Sequence, residues 1–288
     1  MNSVVAHLVS GQVLFTALPL MVAMLLLCDA VTRPDLRRLV TVMAWNLGLL
    51  GVSTAAAPVW AIVLLVATLG LWSSRTWLPD RKSLQRICMA GPIVTALGML
   101  IVESAWIIRP AVTPVTDRSV VVLGDSLSAG LGEGEGAPWP SQLRDQYHVQ
   151  VYNLSEAGAT TEDAFRTISA TDHFPGLVVI ELGGNDLLGG RPLADFERDL
   201  QGILAHLRQQ NRSVVMVELP LLPGKNQWGV VQRQLADRFS CPLIPKRLLV
   251  QVLAAPGATV DTLHLSRSGH LLMAEAVWRV IEPGLPRS

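Results

Sequence analysis

Apolar and polar positions divide the chain into two unlike parts that meet near residue 110. Met1 to Cys28 carries no charged residue, Leu39 to Trp72 carries none, and Ile87 to Ile108 carries only Glu103. Apolar runs of about 18 residues or more suit transmembrane helices, because about 20 residues cross roughly 30 Å of hydrocarbon. As one helix, Leu39 to Trp72 would be about 51 Å long, far more than a bilayer core needs. The segment Ser53-Thr54-Ala55-Ala56-Ala57-Pro58 divides it, since Pro58 removes a backbone donor and disfavours a helical Ala57. The pattern predicts an all-α transmembrane region over 1–109 with about four helices, near 5–28, 38–54, 58–73 and 87–108. A cleaved signal peptide is the alternative for the first run. No Lys or Arg precedes Arg33, however, and another apolar run follows closely.

Residues 110–117, with Pro110 and Pro114 near Thr113 and Thr116, read as a short extended linker. From 118 to 288 the pattern alternates. Strand-like runs fall at Ser119–Leu123, Val149–Tyr152, Leu177–Leu182, Ser213–Leu219 and Leu243–Ile244. Helical patterns fall between or after them at Trp139–Gln146, Thr161–Ser169, Pro192–Gln210, Trp228–Phe239 and Ser266–Ile281. Such alternation predicts an α/β domain with a parallel sheet covered by helices on both faces. Phe196, Leu200, Ile203, Leu204 and Leu207 make a clear amphipathic stripe.

Charge then orients the first part. The chain has 23 basic and 23 acidic residues and 50% hydrophobic content, and its mean hydropathy is positive. That balance does not suit a nucleic-acid partner; the lipid bilayer is the partner it indicates. Arg33, Arg37 and Arg38 lie between the first two spans, and Arg75, Arg81, Lys82 and Arg86 between the last two. With four spans both loops face one side, which the positive-inside rule makes the cytoplasm. The domain after residue 110 is then expected on the periplasmic or extracellular side of an inner or plasma membrane. Glu103 is a functional candidate by its place in a span, though a position near the outer end suits a solvated or interfacial carboxylate. Cys28, Cys88 and Cys241 offer no disulfide within the second domain. No Cys/His cluster suggests a metal, and no motif implies a cofactor.

The chemistry-bearing residues lie at the ends of the expected strands. Gly124-Asp125-Ser126-Leu127-Ser128 follows the first strand, and Asp261-Thr262-Leu263-His264 lies near the C-terminus. A serine hydroxyl is a weak nucleophile until an imidazole takes its proton, and a carboxylate that fixes the imidazole makes that base effective. Ser126, His264 and Asp261 supply the three parts. Asp261 precedes His264 by three residues, a spacing that lets its carboxylate reach the ring from the same loop. An oxyanion needs preorganised donors, and the Ser126 and Gly158 N–H groups and the Asn185 amide could supply three. Taken alone, Ser126 could be a helix cap and Asn185 a turn residue. Asp125 and Asp186 read as turn and capping residues. His270 is the nearest rival to His264, but a helix capped by Ser266 or Ser268 would carry it away. Gly130 to Gly136, with Glu133 and Glu135, lacks phosphate-loop spacing and reads as a mobile loop bordering the cleft.

Ser126, Gly158, Asn185 and His264 match in order the four signature residues of the SGNH (GDSL-type) hydrolase family, and this chain resembles that family from about Ser119 to Ile281. The surrounding blocks agree: GDSLS, Gly183 to Asp186 as G-x-N-D, and Asp261 to His264 as D-x-x-H. Within the family it looks most like the thioesterase/lysophospholipase and arylesterase branch. The resemblance implies a flavodoxin-like three-layer domain and a serine hydrolase acting on an acyl ester or thioester. It leaves the acceptor open: an acyltransferase or O-deacetylase acting on cell-envelope glycans would keep the same site. A scaffold with a decayed hydrolase domain is a third reading, disfavoured by four intact blocks.

Overall fold

The charge-free N-terminal stretches are helical. The computed structural model describes residues 1–288 except 76–81, 109, 133–134, 172–173, 262 and 288. Helices α1 (Ser3–Val9), α2 (Val13–Ala30), α3 (Pro34–Val52), α4 (Val59–Ser74) and α5 (Lys82–Ala105) precede the first strand. Most of this region, His7–Ile107, forms one compact unit together with Leu221–Val230. On α2, Leu14, Leu18, Met21, Leu25 and Cys28 are buried, a stripe spaced by four and three residues. It faces small residues on α3: a Cβ added to Gly48 would come within 3.0 Å of the Met21 sulfur, and one on Gly51 within 3.1 Å of Leu18. Close backbone approach over small residues is how apolar helices associate where water supplies no drive. Inside this unit the break at Ser53–Pro58 is satisfied from a distance. The Asn226 amide donates to the carbonyls of Val52 and Ala55, both at 2.6 Å.

The expectation of about four transmembrane helices is met only in part. Two helices, Val13–Ala30 and Ser83–Ala105, are long and apolar enough to cross a membrane. Such helices alone are weak evidence, since a buried core helix or a signal sequence meets the same standard. The first span, expected from residue 5, is interrupted after α1 by a turn in which Gly11 adopts φ +75°. The helix at 38–54 starts earlier, at Pro34, and so takes in Asp35, Arg37 and Arg38. The helix at 58–73 is a 16-residue apolar helix, short for a crossing. Glu103 is buried, not solvated. The expected basic loop is described at Arg75 and Arg86; Arg81 lies outside the described residues.

The second unit comprises Met1–Ala6, Ile108–Pro220 and Val231–Ser288. Its strands are β1 (Ser119–Gly124), β2 (Gln150–Asn153), β3 (Leu177–Glu181), β4 (Val214–Val217) and β5 (Leu243–Ile244), all parallel in the order β2-β1-β3-β4-β5. Every residue of β1 and β3 is buried, as parallel strands covered on both faces require. Between the strands run α6 (Ser126–Ala129), α7 (Trp139–Tyr147), α8 (Thr161–Ala170), α9 (Gly184–Leu188), α10 (Leu193–Gln209) and α11 (Asn226–Phe239), and after the last come α12 (Lys246–Ala254) and α13 (Arg267–Ile281). One core joins Val120, Val122, Leu177 and Val179 of the sheet to α7 and α13, where Tyr147 stacks on Trp278 at 4.4 Å. Successive strand residues point to opposite faces, and α8 packs with α10 and against β1. The result is the α/β fold with a parallel sheet that the alternation predicts.

Gly176, just before β3, adopts φ +89°, and a Cβ there would lie 2.1 Å from the Ser119 carbonyl oxygen of β1. Gly176→Ala is therefore expected to destabilise the domain by more than the about 1–3 kcal/mol of a strained backbone alone. Denaturant unfolding measures it; a loss below that range would show that the β1–β3 approach is not rigid.

Candidate active site

Ser126 is the first residue of α6, directly after the carboxyl end of β1, the edge at which open α/β sheets take ligands. Asp125 is the N-cap: its Oδ1 accepts the Leu127 N–H at 3.0 Å. The capping role expected of Asp125 is present, and it commits the Leu127 N–H to the turn. Gly124 has no room for a side chain, since a Cβ would lie 2.5 Å from the Ser128 Oγ.

Backbone and side-chain bonds stitch the expected blocks to this turn. The Glu156 N–H donates to the Gly124 carbonyl at 3.2 Å, and the Asn153 amide to the Ser128 carbonyl at 3.2 Å. The intervening loop then carries Gly158 at φ +81°, a conformation that favours glycine. Asn185, near the start of α9, donates its amide to the Ala159 carbonyl at 3.0 Å, one residue beyond Gly158. Asp186 is buried and accepts the N–H and the hydroxyl of Thr161 at 3.0 and 2.7 Å, while Arg191 pairs with it at 3.0 Å. Asp186 thus acts as an anchor between α8 and α9.

Near the C-terminus His264 Nδ1 meets Asp261 Oδ2 at 2.7 Å. The Leu263 and His264 N–H groups donate to Asp261 Oδ1 at 2.6 and 2.7 Å. The imidazole bond, followed by the two backbone donors, holds the Asp261 carboxyl well below the usual carboxylate range. It therefore stays ionised wherever the imidazole is neutral, and it fixes the ring so that Nε2 is left to accept a proton. Thr262 of this block lies outside the described residues. His264 is within electrostatic reach of Asp125, the neighbour of Ser126.

Three residues not singled out from the sequence complete the surroundings. Glu181 ends β3 opposite Gly124 and is buried. Its carboxyl accepts the Ser128 hydroxyl at 2.8 Å and the Asp125 N–H, and shares a hydrogen bond with the Asp125 carboxyl. Trp139 Nε1 donates in turn to Ser128 Oγ at 3.1 Å. Burial pushes both carboxyls up, Glu181 well above its usual range and Asp125 to about 6. Leu127, the bond to Glu181 and the His264 charge oppose the shift at Asp125. An acidic residue closing an otherwise apolar strand was the available signal for Glu181.

Within the glycine-rich loop over 130–136, Glu135 is buried and its Oε2 accepts the Leu131 N–H at 2.6 Å. His270 Nε2 lies 3.6 Å from the same oxygen, and His270 Nδ1 accepts the Trp139 N–H at 3.2 Å. His270, on α13 behind the Ser266 cap, is buried in the core and holds the start of α7. Glu133 and Gly134 lie outside the described residues. Among the described residues no group of three or more His, Cys, Asp or Glu side chains could hold a metal.

A hydroxyl at a strand end, an imidazole held by a carboxylate, and a glycine loop tied to an asparagine are the groups that a serine hydrolase uses, here carried on a flavodoxin-like sheet. The model of the GDSL-like lipase/acylhydrolase family matches residues 122–272, over half of the chain, and the chain belongs to that family. It is similar to thioesterase 1/protease 1/lysophospholipase L1 of Escherichia coli, 29% identical over 174 residues that cover 57% of this chain and 84% of that protein. The arylesterase of Vibrio mimicus is 35% identical over 156 residues, 50% of this chain and 78% of that one. The crystal structure of TesA superposes with a TM-score of 0.52 at 28% identity, covering 58% of this chain and 99% of TesA. This chain is accordingly a serine hydrolase acting on ester bonds.

Two consequences can be measured. Glu181→Ala strands the Asp125 N–H and the Ser128 hydroxyl in a dry site, at about 1–3 kcal/mol for each buried group left unpaired. Glu181→Gln, which keeps the shape and an acceptor, is expected to cost less; equal losses in denaturant unfolding would deny the hydrogen-bonding role. His270 has its pKa lowered, by burial first and against the opposing pull of Glu135. The folded site therefore binds a proton more weakly than the unfolded chain. Its contribution is full above the ordinary value of about 6.5 and declines as pH falls below it. His270→Asn should show a smaller loss of stability between neutral and mildly acidic pH than the native chain does.

Proposed function

We propose that this chain is a membrane-anchored serine hydrolase in which Ser126 is the nucleophile, His264 the general base and Asp261 its orienting carboxylate. The bond from Asp261 to His264 at 2.7 Å, made within reach of Asp125 beside Ser126, is the observation that carries this reading. Ser126 Oγ attacks the acyl carbonyl while His264 Nε2 accepts its proton. The Ser126 and Gly158 N–H groups and the Asn185 amide stabilise the tetrahedral oxyanion. With the Leu127 N–H held by Asp125, the turn offers the Ser126 N–H to that task. His264 then protonates the leaving alcohol or thiol, and water, activated by the same imidazole, releases the acid from Ser126.

The membrane part of the proposal rests on exposure. A core helix of a soluble protein hides its apolar face, yet only 22% of the apolar window of α5 and 39% of that of α2 are buried. Val94, Leu97, Ile101 and Val102 on α5 and Val59, Trp60 and Val63 on α4 are exposed, a surface suited to lipid. Arg37, Arg75 and Arg86 line one cavity. That supports both basic loops lying at the same end of the unit, as an even number of crossings requires. The positive-inside rule then puts that end in the cytoplasm and the hydrolase domain on the periplasmic or extracellular side. Lipid or cell-envelope acyl esters are the substrates such a place favours.

Ser126→Ala is expected to abolish hydrolysis of a short acyl ester and labelling by a fluorophosphonate, with the domain still folded. Asn185→Ala should lower kcat about 10²–10³-fold, the usual cost of one oxyanion donor. Retained turnover in Ser126→Ala would refute the assignment. Product analysis with a sugar acceptor present distinguishes hydrolysis from acyl transfer to a glycan.

A further inference from the structure

At the basic end of the helical unit, a cavity of about 570 Å³ is lined by Asp29, Arg37, Arg75 and Arg86, with Met89, Ala90 and Val94 of α5 along one side. Its charged groups are not equivalent. Arg75 is buried and fixed: it pairs with Asp29, donates to the Trp72 carbonyl at 3.0 Å, and sits 4.6 Å over the Trp72 ring. Asp29 is thereby engaged. Arg37 is half-buried and Arg86 exposed, and among the described residues no carboxylate pairs with either. Three guanidinium groups against one carboxylate leave the cavity with an excess of two positive charges, on groups whose planar forks match phosphate oxygens.

The apolar side continues beyond the cavity. Ala90, Val94, Leu97 and Ile101 are all exposed, and their spacing of four, three and four residues puts them on one face of α5. From Ala90 to Ile101 the helix rises about 16 Å, close to half of the roughly 30 Å hydrocarbon thickness. A basic pocket that opens onto an apolar track one leaflet long has the shape of a single amphiphile.

We propose that this cavity binds the phosphate headgroup of an anionic phospholipid, whose acyl chains lie along the Ala90–Val94–Leu97–Ile101 face of α5. The proposal rests on the membrane reading of the helical unit. The headgroup chemistry is shared with free phosphate; the track on α5 favours the lipid. An anionic headgroup brings no cation of its own, so its phosphate offsets part of the positive excess at Arg37 and Arg86, whereas the choline of a zwitterionic lipid adds a positive charge beside them. Basic pockets among membrane helices on the cytoplasmic side bind anionic headgroups for the same reason.

The test uses the full chain purified in detergent. Its thermal unfolding midpoint is followed during titration with short-chain phosphatidylglycerol, with phosphatidylcholine of the same chain length, and with inorganic phosphate. Phosphatidylglycerol should raise the midpoint in a saturable way and the other two should not. Arg37→Gln combined with Arg86→Gln should weaken that response at least tenfold while leaving the midpoint in phosphatidylcholine unchanged. If the double variant does not fold, Arg86→Gln alone, at an exposed position, should weaken it several-fold. An equal response to phosphatidylcholine, a full response to inorganic phosphate, or a native response in the folded variant would overturn the proposal. Recovery of the chain in the soluble fraction of lysed cells without detergent would overturn the membrane reading instead. Ester hydrolysis in the same samples reports on the catalytic assignment separately.

Discussion

Glu181 ends the central strand β3 with a carboxyl that has almost no access to water, and the geometry of the turn at Ser126 follows from how that group is satisfied. A buried carboxyl is tolerable when it is neutral or fully hydrogen-bonded. Glu181 takes the Asp125 N–H, the Ser128 hydroxyl and the Asp125 carboxyl as partners, and so grips the turn on both sides of Ser126. Asp125 is then committed to the Leu127 N–H, which sets the backbone of α6. Two acids so close do not both ionise readily, and burial raises both carboxyls. Asp125 in turn interacts electrostatically with His264. The strand register and the turn that carries Ser126 are linked through one side chain.

Much of this was legible in the sequence because the chemistry sits in short, local patterns. Buried parallel strands appear as continuous apolar runs, so β1 and β3 could be placed to within a residue. The Asp261–His264 pair could be anticipated because both residues belong to one loop. What could not be read was set by contacts between distant segments. Glu135 lies among glycines and looks like part of an exposed tip, yet it is buried beside His270, which a helix brings from far along the chain. Helix α12 was not anticipated at all, although Leu249, Val250 and Leu253 are buried on it. It follows the two-residue strand β5 so closely that the helical period has little room to declare itself. Asn226, which satisfies the carbonyls of Val52 and Ala55, carries no local sign of that task.

The helical unit shows how far composition alone can carry an argument about membranes. Charge-free length predicted about four crossings, while among the described residues two helices are long and apolar enough when taken singly. The difference lies in α3 and α4. The first begins with Asp35, Arg37 and Arg38 inside its helical span, and the second has 16 residues. Neither fact excludes a place among membrane helices, because a helix packed on neighbours need not meet lipid along its whole length. Gly48 and Gly51 let α3 approach α2 closely, and that approach helps secure α3 independently of its own apolar length. The more telling quantity is what the helices leave uncovered. Val94, Leu97 and Ile101 would cost a soluble protein heavily in water, whereas in hydrocarbon they cost nothing and present a track to an acyl chain. Arginines at one end of that track and apolar residues along it are therefore better explained together than apart. Under the proposed membrane reading, the charges that would set which way the helices insert are the same ones that would select a lipid lying against them.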